Sequence, residues 1–114
     1  MYNMPMSERD LKIGFGMLFS VSGKGERKDV VVGVGEKGRF FAAQVFQSAQ
    51  GRDWIYPSGT ANKNNIQEII GQLTLQQVIE ALEEGTRQRG LKEINPEMKR
   101  ILINESRRKP RLLR

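Results

Sequence analysis

From Lys12 to Val21 every odd-numbered residue is apolar: Ile13, Phe15, Met17, Phe19 and Val21, separated by Lys12, Gly14, Gly16, Leu18 and Ser20. A side-chain period of two belongs to an extended strand with one buried face. The pattern returns three times. Lys28–Gly35 carries Val30, Val32 and Val34 on one side, Arg39–Gln47 (RFFAAQVFQ) is apolar on both sides, and Arg52–Pro57 (RDWIYP) is a short fourth run closed by Pro57. The segments between them, Ser22–Glu26, Glu36–Gly38 and Ser48–Gly51, are short and rich in Gly and Ser. Strands so spaced and so joined pair consecutively, which predicts an antiparallel meander over residues 12–57.

After the polar stretch SGTANKN the spacing changes. Ile66, Ile69, Ile70 and Leu73 stand at i, i+3, i+4 and i+7, and Leu75, Val78, Ile79 and Leu82 repeat the pattern. This predicts helix over about 65–89. At roughly 100° per residue the two stripes centre on almost opposite faces. Either the helix breaks near Gly71–Thr74, where Thr74 and Gln77 form a capping-box pattern, or one long helix lies between two apolar surfaces, one of them another subunit. A homo-oligomer joined through apolar helix faces is the corresponding expectation. Asn95-Pro96 opens a second helix over 96–106, with Ile94, Met98, Ile101 and Leu102 as its buried stripe and Pro110 ending regular structure. The expected fold is α+β: a four-stranded antiparallel β-meander followed by two or three helices and a basic C-terminal tail. Its parts are an N-terminal arm (1–11), one domain (12–105) and the tail (106–114), a length that suits one core.

Charge is unevenly placed. Of the formal net charge of +6, most comes from residues 106–114, which carry five basic groups and no acid. Such a tail attracts polyanions through phosphate charge and counterion release; its plainer role is solubility. The chain has no Cys and no His, which removes disulfides, thiolate metal sites and the usual general base near neutral pH. No acidic run has calcium-loop spacing, so no metal or cofactor is expected. No apolar run approaches the ~18 residues of a membrane span, and the N-terminus has no signal-peptide pattern; a cytoplasmic, non-enzymatic protein is expected.

Two glycine-rich matches lack their context. Gly33-Val34-Gly35-Glu36-Lys37-Gly38 fits G-x-G-x-x-G, but the next segment is strand-like, whereas a dinucleotide site needs a helix there. Ser22-Gly23-Lys24-Gly25 lacks the remaining residues of a phosphate loop. Ser58, Thr60 and Lys63 read as a polar loop.

The most informative set is Arg52, Trp54 and Tyr56, which share one side of the fourth run while Ile55 takes the other. With Ile55 in the core, two rings and a guanidinium face outward, as in single-strand binders whose rings stack bases and whose cations hold the backbone. Arg39 and Phe41 join that face if Phe40, Ala42 and Phe46 form the core set. The competing arrangement packs Trp54 and Tyr56 beneath a helix or in a dimer seam. Arg107, Arg108, Lys109, Arg111 and Arg114 would add an electrostatic arm.

Four strands followed by a helix through residues 12–89, with GRFF at Gly38–Phe41 and DWIYP at Asp53–Pro57, resembles the Whirly and PUR-type single-strand-binding families; the lysine-rich Whirly signature is absent. The resemblance implies a dimer or larger assembly binding single-stranded DNA or RNA across the sheet. The rival expectation is a protein-interaction module, in which RRKPRLLR docks on an acidic partner and Leu112 and Leu113 anchor it.

Overall fold

The structure, a computed structural model, describes residues 12–49 and 51–112, with side chains through Arg108 in the last helix. It is α+β. The strands are β1 (Met17–Val21), β2 (Lys28–Val34), β3 (Arg39–Phe46), β4 (Trp54–Asn62) and β5 (Ile66–Gln72). A 3-10 turn, Lys63–Asn65, joins β4 to β5, and two helices follow, α1 (Leu75–Gln88) and α2 (Pro96–Leu112). All pairings are antiparallel, in the order β4-β3-β2-β1-β5.

The first three strands lie within the runs that alternate, with two departures. β1 covers only Met17–Val21 of the run from Lys12, and a register shift between Val31 and Gly33 sends Val34 to the opposite core from Val30 and Val32. The β2–β3 connection is a tight hairpin: Lys37 and Gly38 both have positive φ (58° and 75°), and the Arg39 N–H donates to the Glu36 carbonyl at 3.1 Å. Positive φ at both central positions is what a turn matching strand twist requires. The G-x-G-x-x-G match is therefore a hairpin.

Three expectations are corrected. The sheet does not stop at Pro57, because β4 continues to Asn62. Proline is tolerated there since β4 is an edge strand, and the register shifts beside it, between Ala42 and Ala43. Ile66–Gln72 is a fifth strand and not the first part of a helix. Its register against β1 shifts twice, between Leu18 and Phe19 and between Ser20 and Val21, leaving Ile70 and Gln67 without partners. Each extra residue breaks the period of two, so Ile66 and Ile69 fall on the same face three apart and imitate a helical stripe. The phase jump that suggested a second surface for one long helix is the change from strand to helix. Lastly, α2 runs past 106 and through Pro110 to Leu112; a proline near a helix end removes one hydrogen bond without cancelling the burial that holds the helix upstream. The expected free tail is thus in part helix, and its last two residues lie outside those described.

The capping signals hold. Thr74 Oγ1 accepts the Gln77 N–H at 3.1 Å and Gln77 Oε1 accepts the Thr74 N–H at 2.9 Å. Asn95 Oδ1 accepts the Glu97 and Met98 N–H groups at 2.8 and 3.3 Å. α1 ends in a Schellman arrangement, with Gly90 at φ 76° and N–H bonds from Gly90 to Arg87 and from Leu91 to Thr86, both 2.9 Å.

The topology forces the sheet to curl. β4 and β5 are opposite edges and run the same way, so β4 ends at one end of the sheet and β5 starts at the other. From Asn62 to Ile66 the chain reaches about 14 Å at full extension. Five flat strands would separate the edges by about 19 Å sideways alone. The sheet therefore closes on itself until the end of β4 meets the start of β5. Two cores result. Inside the curl lie Met17, Phe19, Val21, Val31, Phe40 and Ala42, joined by Ala61 and Ile66, with the Phe19 and Phe40 rings edge to face at 5.6 Å. On the outer face Val30, Val32, Ala43 and Ile55 meet Val78 and Leu82 of α1 and Met98 and Leu102 of α2. Because β2 and β3 are buried on both faces, they read as almost continuous apolar runs. No described helix is long and apolar enough to cross a membrane.

Candidate nucleic-acid interface

The fourth strand begins with the residues that the sequence singles out. In its register, Trp54 pairs with Phe46, Ile55 with Val45 and Tyr56 with Gln44. Ile55 is buried with Val45 in the outer core under α1, as expected from the sequence. Trp54 and Tyr56 consequently leave that core on the side they share with Phe46. The Trp54 indole also packs against α1, where a Cβ on Gly85 would lie 3.1 Å from Cε3, so the competing arrangement beneath a helix is realised in part. Both rings are half-buried, neither bare nor sealed. The Trp54 indole stacks on the Phe46 ring, centroids 4.4 Å apart and planes at 19°.

Arg89 completes the cluster. It is the C-cap residue of α1, and its guanidinium carbon lies 4.4 Å from the Tyr56 ring centre and 5.9 Å from that of Phe46. Both fall within cation–π range. Nothing in the sequence near Tyr56 announces this partner, 33 positions away. The cue that exists is local: Gly90 as the helix stop fixes the backbone of the residue before it. Arg89 as a whole is solvent-exposed. Neighbouring cross-strand positions hold a polar group: Arg27 Nε and Nη2 donate to the two carboxylate oxygens of Asp29 at 3.0 and 3.2 Å, and Ser58 Oγ donates to Asp29 at 3.1 Å. Asp29 is only 4% exposed. Its hydrogen bond holds the Arg27 pKa above the ordinary arginine value.

The other sequence candidates do not gather here. Arg52 turns to the helix side, where its guanidinium lies 3.6 Å from Glu80 of α1. There it lines a cleft of about 320 Å³ with Leu18, Val45, Ile55, Leu73 and Ala81. Arg52 precedes the first paired residue of β4, so strand alternation does not govern its direction. Phe41 packs in the outer core, and Arg39 shares its parity, away from Trp54. The expectation that both would join the aromatic face presumed one buried face, whereas the curl buries two. Arg107 and Arg108 are exposed on α2. Arg108 pairs at 3.4 Å with Glu105, a buried carboxylate that also accepts the Val34 N–H at 3.4 Å. Lys109 and Arg111 belong to the α2 span, but their side chains, like all of Arg114, lie outside the described residues.

Comparison with known proteins returned no match among family models, curated proteins or solved structures.

Proposed function

We propose that the protein binds single-stranded DNA or RNA without acting as an enzyme, through the cluster Phe46, Trp54, Tyr56 and Arg89, with the basic end of α2 supplying backbone contacts. The carrying observation is the Arg89 guanidinium carbon 4.4 Å over the Tyr56 ring centre, beside a stacked pair of rings. A guanidinium is itself a plane on which a base can stack, and a base–aromatic contact is worth about 1–3 kcal/mol. The site differs from the one expected from the sequence: Arg89 takes the place of Arg52, and Phe46 that of Phe41. The likeness to Whirly and PUR-type proteins supports the reading only through strand order, and the fifth strand departs from that order.

The chain has one tryptophan, Trp54, so its fluorescence reports directly on the cluster. Titration with a labelled single-stranded oligonucleotide at low salt is expected to quench it, with affinity falling as salt rises. Arg89→Ala is expected to weaken binding about tenfold, and Arg89→Lys nearly as much, because an ammonium keeps the charge but has no plane. No binding at low salt would remove the proposal, and so would wild-type affinity in Arg89→Ala. A pull-down in the presence of nuclease distinguishes the rival: protein partners that survive nuclease but are lost with residues 107–114 point to an interaction module.

A further inference from the structure

The two edges of the sheet are finished differently. Along β4, α1 packs so closely that a Cβ on Gly85 would run into the Ile55 carbonyl, and Pro57 lacks an N–H. Among the described residues β5 ends the sheet on the other side, while the helices pack mainly on β4 and β2. β5 has no Lys and no Pro, two residues with which proteins commonly blunt an open edge. It exposes Ile69 at 37% and Ile70 at 40%. The bulge opposite Leu18 and Phe19 leaves Ile70 without a partner in β1 and re-aims it.

We infer that β5 is a self-association edge, pairing antiparallel with β5 of a second copy of this chain about a two-fold axis. The inference does not depend on nucleic-acid binding. Two features select the occupant. Pairing centred on Ile70 sets Ile70 against Ile70 of the second copy, Ile69 against Gly71 and Glu68 against Gln72, so no like charges face each other. Centring on Ile69 instead sets the Glu68 carboxylate against an isoleucine. A phosphate polymer is disfavoured, because the only charge on the strand is the Glu68 carboxylate. The covered β4 edge then limits the assembly to two. A β4-to-β5 contact between copies would be head-to-tail and could propagate into a filament, and α1 obstructs it. Only the symmetric contact is left.

The chain has no cysteine, so single-cysteine variants report the contact without background. In high salt with nuclease present, the full chain is expected to sediment as a dimer, with Ile70→Lys raising its dissociation constant at least about tenfold at unchanged far-UV circular dichroism. Under mild oxidation Ile70→Cys is expected to form a cross-linked dimer, since facing residues lie within disulfide reach. Ile103→Cys, on the exposed side of α2, serves as control. A monomer at every soluble concentration overturns the inference. So does a dimer indifferent to Ile70→Lys, or cross-linking at residue 103 and not at 70. The cysteine variants decide the matter even if the lysine variant folds poorly.

Discussion

At the scale of single residues, two glycines carry the close approaches that hold the helices on the sheet, and they differ in what they would strike. A Cβ on Gly85 meets the Ile55 carbonyl, which is backbone of β4 and cannot yield without moving the strand. A Cβ on Gly33 meets the Cγ2 methyl of Ile101, a side-chain atom on α2 that can give way by a change of χ1 or a small shift of the helix, although a β-branched residue in a helix leaves its rotamer at a cost. Gly85→Ala is therefore expected to destabilise by about 2 kcal/mol, the overpacking cost outrunning the gain in helix propensity. Gly33→Ala is expected to cost clearly less; urea unfolding of both variants checks the order. The aromatic site shows the same dependence on close neighbours. Trp54, Ile55 and Tyr56 were legible from alternation alone, because a strand residue's side is set by counting. Arg52 and Arg89 were not, since one precedes the strand and the other reaches it from the end of a helix.

Among the elements, α1 declares its own start. Thr74 and Gln77 satisfy each other's backbone N–H groups, a local exchange that needs no tertiary partner. Thr74→Ala is expected to cost about 1 kcal/mol, read as a lowered midpoint in thermal or urea unfolding. The site would feel it little, because Arg89 stands at the opposite end of the helix. β5 is the converse. Ile66, Ile69 and Ile70 match a helical stripe, and only pairing with β1 shows that two bulges make that spacing. The β-branched side chains were a cue to extended structure, but spacing pointed the other way, and the period of two fails where a strand carries an extra residue.

For the molecule as a whole, charge and packing are separable. The last buried residue of α2 among those described is Glu105, tied to the Val34 N–H, while the positive excess lies beyond it in residues 107–114. Removing 107–114 is expected to lower stability by about 1–3 kcal/mol, because it takes Arg108 from the buried Glu105 carboxylate. It should also flatten the dependence of oligonucleotide affinity on salt; calorimetry and a salt series measure the two effects. The alternation, the hairpin glycines and the caps determined from sequence alone that the chain would be α+β, with a meander first and helices after, because each is a short-range matter of backbone geometry and nearest hydrogen bonds. Tertiary structure decided the rest: the curl that brings the end of β4 to β5, the second core inside it, and the meeting of Arg89 with Tyr56. Those depend on where distant segments come to lie once both faces of a twisted sheet must be kept from water, and residue spacing does not encode such distances.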